Sequence, residues 1–197
     1  YLPLLVTAVA AMVDPELNLY GLQATTHPCG VLLLLNGPIA KELGVNAAHG
    51  AFGPGRLANA TIGRAIRLIL MNVGGALPGT TDKATQGQPC KYSYCAAENE
   101  DESPWPPFHV DRGFDPAVST VTLVGAEGPH NINDHVSTTA EGILTTTAST
   151  MAVMGCNNAY APSDLFVAFG PEHAAIIARD GLTKADVRSF LYAEARI

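Results

Sequence analysis

The chain is short of charge. Only 15% of its 197 residues are Asp, Glu, Lys or Arg, and just eleven of those are basic. The basic residues gather into no tract, and the formal net charge is −7. Phosphate backbones require a clustered cationic surface, so nucleic acid is excluded as an expected partner. No apolar run reaches the roughly 18 residues needed to cross a bilayer, so no membrane partner is expected, and no stretch reads as a secretory signal. Cysteine is scarce too. Four in a chain of this length make no disulfide framework, which points to a reducing, cytoplasmic setting. The pair in "CKYSYC", Cys90 and Cys95, has four residues between its sulfurs, the wrong spacing for a CxxC redox motif or a zinc ribbon. Trp105 is the single tryptophan; set between prolines, it is expected to plug a groove and pin its segment.

What the chain has in quantity is apolar residue, 47% of the total. Much of it must be interior or interface, and a homo-oligomer or hetero-complex is the expected assembly. The length fits one domain over residues 1–197 with a sizeable core. Numbering opens at Tyr1, inside what reads as a helix already under way, so a processed chain or the C-terminal part of a longer one is expected.

One plan recurs three times. "VLLLLNGPIAKELG" (31–44), "STVTLVGAEGPHNI" (119–132) and "DLFVAFGPEHAAIIARDG" (164–181) each run from a branched apolar stretch into Gly-Pro. Continuous apolar runs predict strands buried on both faces, while Gly-Pro supplies a tight turn and a helix start. The spacing predicts helices at 2–13, 38–43, 59–72, 138–154, 171–179 and 184–194. Thr138 with Glu141 forms a candidate capping box, Gly155 a candidate stop, and Thr183 a cap for the last helix. The fold class that follows is α/β, with a mainly parallel or mixed sheet flanked by helices. Residues 74–118, rich in Gly, Pro and acids, break the pattern and read as a long irregular insertion or arm. Glu98 in its "ENEDES" run reaches a cleft only if this arm folds inward.

In open α/β sheets, ligands bind beyond the carboxyl ends of strands. If the three strands point the same way, their turns converge and bring Asn36, Glu127, His130, Glu172 and His173 around one cleft. The stretch "EGPHNINDH" is the richest: Glu127, His130, Asp134 and His135 are all acid–base types. The same residues can serve as metal ligands, although their spacing matches no metal motif, or can form an Asx-rich structural turn. The glycine-rich "HGAFGPGRLANATIGRAIR" places Arg56 at a helix start, with Asn59 and Arg64 following. A cation there suits a bound carboxylate or phosphate, or else pairing with the acidic excess of a subunit surface.

The stretches "QATTHPC", "NGPIAKELG", "FGPGRLANATIGRAIRLILMNVGG", "DKATQGQP", "ENEDESPW", "TVTLVGAEGPHNINDH" and "FGPEHAAIIARDG" together resemble a family of uncharacterised bacterial proteins. That family is associated with small selenoproteins, or their cysteine homologues, bearing a UGSC motif. The resemblance covers nearly the whole chain and implies that it corresponds to the C-terminal part of longer members. It also implies a thiol or selenol protein as a neighbour, and it carries no activity to transfer.

The functional expectation is an enzyme acting on a small anionic metabolite by His/carboxylate chemistry. Hydrolysis or elimination is the expected reaction, with a redox step alongside a thiol or selenol partner as a variant. His130, His135, Glu127 and Asp134 are the expected catalytic residues. Arg56, Asn59, Arg64, Asn36, Glu172 and His173 are the expected substrate-binding residues. No metal site is expected, and the cofactor is left open. The alternative is a non-catalytic scaffold subunit of a larger complex.

Overall fold

A computed structural model of the chain describes residues 1–153 and 164–196. These form two compact units, one of Tyr1–Glu100 with Pro107–Pro129, the other of Asp101–Pro106 with His130–Ile197.

The first unit is built on β1 (Gly30–Asn36), whose sequence GVLLLLN is buried at every position. A strand apolar on both faces must be covered on both and hydrogen-bonded on both edges, and β1 is central in a three-stranded sheet. On one side lies β2 (Cys95–Ala97), parallel, with Leu33 opposite Cys95 and Leu35 opposite Ala97. On the other lies β3 (Thr120–Ala126), antiparallel, with Gly30 opposite Ala126 and Asn36 opposite Thr120. The sheet is thus mixed and the fold α/β, as the apolar runs and Gly-Pro turns predict.

Helices cover the sheet. In α1 (Leu2–Met12) every fourth residue, Leu4, Ala8 and Met12, is buried. After the short α2 (Leu19–Ala24) and α3 (Pro38–Glu42), α4 (Leu57–Asn72) repeats the pattern with Ala58, Ile62, Ile66 and Leu70. These two stripes meet Val31, Leu33 and Leu35 of β1 in one apolar cluster, as an amphipathic helix requires. A last short helix, α5 (Phe108–Asp111), lies in the expected arm. The arm therefore supplies a strand and a helix to this unit, and Glu98 follows directly on β2.

The second unit is helical. It contains α6 (Ala140–Val153), α7 (Pro171–Arg179) and α8 (Lys184–Glu194). Ile143, Leu144, Ile177, Val187 and Leu191 form its core. Thr183 caps α8 reciprocally: its Oγ1 accepts from Asp186 N–H, and Asp186 accepts from Thr183 N–H. Two expectations change here. The run 164–169 forms no strand; Val167 and Phe169 instead pack on the helical core, which satisfies their need for burial without a ladder. And α6 begins one residue later than the Thr138–Glu141 box predicts, because Thr139 Oγ1, not Thr138, accepts from Gly142 N–H at 3.2 Å. Gly155, the expected stop, lies outside the described residues. Among those residues no single helix is long and apolar enough to cross a membrane.

Candidate active site

Strand direction decides where the chemistry collects. Because β3 runs against β1, the residues that leave β3 arrive beside those that enter β1. "THPC" precedes β1 and Glu127 follows β3. His27 Nε2 accordingly stands 3.1 Å from Glu127 Oε2, with the two side chains 24% and 18% exposed, so solvent reaches both. Glu127 is further fixed through its backbone: Tyr94 O–H donates to its carbonyl at 3.0 Å, and the next amide, Gly128 N–H, donates to Gln88 Oε1 at 2.6 Å. The His27 tautomer that carries its hydrogen on Nε2 donates to Glu127 and keeps Nδ1 as the accepting nitrogen.

Two thiols stand beside this pair. Burial, joined by the charge of Glu127, pushes the Cys29 thiol above its ordinary range, with Lys91 pulling the other way. Cys90, whose Sγ donates to Pro28 O, is pushed up to about 11, chiefly by burial. Burial also raises the Tyr94 hydroxyl, helped by the charges of Cys90 and Glu127. Thiols held neutral in this way are poor nucleophiles near pH 7.

Beneath them lies a polar cluster. Arg67 reaches Asp82 Oδ2 at 2.8 Å, and Lys91 reaches Asp82 Oδ1 at 3.0 Å. Lys91 also donates to Cys29 O at 2.9 Å, and Arg67 to Gln23 Oε1 at 3.3 Å. Burial pushes the Asp82 carboxyl up, but hydrogen bonds from Lys91 and Ala84 N–H, with the charges of Lys91 and Arg67, outweigh it and hold the group ionised. Two cations share one carboxylate, so the cluster keeps a positive excess. Gln23, Cys29, Arg67, Cys90, Lys91 and Tyr94 line a cavity of about 20 Å³, room for a single water. Displaced pKa values clustered beside a cavity make this end of the sheet the candidate site of the chain.

No protein-family model, curated protein or solved structure matches the chain.

The residues expected to converge are dispersed. Asn36 and Glu127 lie at opposite ends of the sheet, about 20 Å apart by strand rise, because β3 is antiparallel. His130, Asp134, His135, Glu172 and His173 belong to the second unit. There His130, His135 and Glu172 are exposed. Asp134 accepts from Val136 N–H, Ser137 N–H and Thr146 Oγ1, which hold its carboxyl far below the ordinary range. His173 Nε2 lies 2.9 Å from the Asp134 carbonyl. This loop is thus an Asx-type turn seated at the start of α7, the structural alternative for "EGPHNINDH". Arg56, the residue before α4, and Arg64 on α4 are exposed. Asn59 is buried and fully used: its Oδ1 accepts from Asn46 N–H and Arg56 N–H, and its Nδ2 donates to the Asn46 and Cys95 carbonyls. It ties α4 to β2. The described residues contain no group of three His, Cys, Asp or Glu placed to hold a metal ion.

Reasoning from sequence missed Tyr94, Lys91 and Asp82. In sequence His27 offers only a Cys/His pair with Cys29, set aside because nearby positions on an extended segment point apart; an antiparallel β3 gives His27 the different partner Glu127.

Proposed function

We propose that the chain is an enzyme moving a proton on a small anionic metabolite, with His27 as the base and Glu127 as its partner. The observation that carries this reading is the 3.1 Å His27–Glu127 pair, solvent-accessible and set beside a cluster of positive excess. A proton leaves a substrate carbon or an attacking water for His27 Nδ1. Glu127 then stabilises the imidazolium as a hydrogen-bonded counter-ion. Lys91 and Arg67 favour an anionic group near the cavity mouth. In an elimination, the C–H electron pair forms the new double bond and the leaving group departs with its own pair. In a hydrolysis, the deprotonated water forms the new bond to the substrate's electrophilic atom, the bond to the leaving group breaks with the pair going to that group, and the imidazolium returns the proton to it. The raised thiols of Cys29 and Cys90 favour proton transfer over thiol chemistry, and a cytoplasmic setting would keep them reduced.

The test is turnover of a panel of small carboxylates and phosphate esters, followed by mass spectrometry. H27A and E127Q should each lower turnover by roughly two orders of magnitude or more, the usual worth of a positioned base. H130A and H135A should leave it unchanged. Full turnover by H27A, or its loss in H130A, overturns the assignment.

A further inference from the structure

Among the described residues, the buried side-chain atoms that lack any hydrogen-bond partner are Asn36 Oδ1, Thr120 Oγ1 and both ring nitrogens of His109. Folded chains rarely leave such atoms unpaired, so their gathering in one place asks for a cause. Asn36 and Thr120 are opposite one another in the β1–β3 register and so project from the same face. His109 is 1% exposed, and its Nδ1 points toward Glu100 Oε1 at 3.9 Å, beyond hydrogen-bonding reach. All three residues therefore collect at the carboxyl ends of the parallel strands β1 and β2, the end of the sheet remote from His27.

Two carboxylates are held at the same place. Asn36 Nδ2 donates to Glu98 Oε2 at 2.5 Å and to Glu100 Oε1 at 2.9 Å. Because one nitrogen serves both, the two acidic groups stand within about 5 Å of each other, close enough to repel. Gly37 N–H adds a second bond to Glu100 Oε1 at 2.7 Å, and Phe108 N–H a second to Glu98 Oε2 at 2.7 Å. Only glycine fits comfortably at position 37, where φ is 77° and a Cβ would collide with the Val118 carbonyl. Glu100 is thus fixed by neutral amides, faces an imidazole it does not bond, and keeps a side chain 25% exposed at the surface.

We propose that this end of the sheet is a binding site for a small protonated nitrogen base, an ammonium or guanidinium group. Asn36 Oδ1 can only accept, Thr120 Oγ1 can accept, and a neutral His109 offers one accepting nitrogen. Beside them sits the negative charge of Glu100. A ligand matching this set carries several N–H donors and a positive charge. A bare metal ion does not match, since no three His, Cys, Asp or Glu among the described residues are placed to coordinate one. An anion is disfavoured beside the Glu100 carboxylate.

The experiment is an NMR titration of the intact chain with ammonium, methylammonium and guanidinium chloride. Sodium chloride and tetramethylammonium, a cation with no N–H, are the controls at matched ionic strength. Saturable shifts are expected at the Asn36 side-chain amide, the Gly37 amide and the His109 ring for the N–H cations alone, with His27 unmoved. E100Q keeps an acceptor for Gly37 N–H and preserves the fold, checked by its thermal midpoint. It should weaken binding roughly tenfold or more, the worth of a charge-assisted hydrogen bond. Three results would overturn the proposal: no saturation by any N–H cation, an equal response to tetramethylammonium or sodium, or unweakened binding in a folded E100Q.

Discussion

His27 and Glu127 meet because β3 enters the sheet antiparallel to β1, so that the exit of one strand lies beside the entrance of the other. A parallel β3 would carry Glu127 to the Asn36 end and leave His27 beside two thiols with no carboxylate. The position of the His27–Glu127 pair is therefore a property of topology more than of any local motif.

The cations beneath that pair depend on a single carboxylate. D82N removes the shared partner of Arg67 and Lys91, whose side chains are only 11% and 10% exposed. Breaking a fully buried pair costs about 3–5 kcal/mol; with both cations reaching some water, a loss of about 2 kcal/mol is expected in urea unfolding at pH 7. The pH dependence carries a sign. The folded-state pKa of Asp82 is depressed, so its contribution is fully present above the unfolded value of about 4 and fades as pH falls through the lower folded value. Wild type should therefore lose its advantage over D82N on acidification below about pH 4. A difference that does not narrow on acidification contradicts the ion-pair account.

Cys90 should be slow to alkylate. With its thiol near 11, the thiolate fraction at pH 8 falls about two orders of magnitude below that of an ordinary cysteine near 8.5. Cys95, wholly buried and pushed to about 12, should be slower still. Iodoacetamide labelling resolved by peptide mass spectrometry should show the Cys90 rate rising about tenfold per pH unit until pH nears 11. Ready labelling of Cys90 at neutral pH would show that its surroundings are more polar than the cluster implies.

The seating of α4 can be probed at Gly63. A Cβ there comes 2.5 Å from Tyr94 N and closer still to Ser93 Oγ. The serine side chain can turn, but the Tyr94 backbone cannot, since it leads into β2. G63A should destabilise by about 1–3 kcal/mol despite the better helix propensity of alanine. Because Tyr94 binds the Glu127 carbonyl, the same change should shift the His27 ring signals. A neutral thermal midpoint with unmoved signals would mean that α4 stands farther from this strand.

In the second unit, Trp105 Nε1–H donates to the Leu182 carbonyl at 3.0 Å while its ring packs on the helical core. W105F keeps most of the apolar contact and removes the bond, so a loss of about 1 kcal/mol is expected by circular dichroism melts. W105A should cost about 3–5 kcal/mol. Equal losses in the two variants would assign the whole effect to the hydrogen bond.

Much of the fold is legible in the sequence because its punctuation is local. Pro38 and Pro171 open α3 and α7 at first helical positions, and Thr183 caps α8, so these helices start where the residues predict. The run GVLLLLN announces a central strand by itself. What is not legible depends on partners distant in the chain. Residues 164–169 look like a strand but find cover on helices, while Cys95–Ala97 is too short to stand out yet pairs with β1. At the candidate site, Glu127 is conspicuous by type among its neighbours, whereas His27 acquires its carboxylate partner only from strand direction. Glu98 and Glu100 read as solvated acids until the arm that carries them is seen to follow a strand.

Strand β1 is bonded on both edges and buried along its whole length. Its amides should be the slowest in the first unit to exchange with deuterium, since exposing them requires both neighbouring strands to leave. Partial openings that free α2 or α5 leave β1 intact, so the spacing between the His27 end and the Asn36 end outlasts the local breathing of the elements around it.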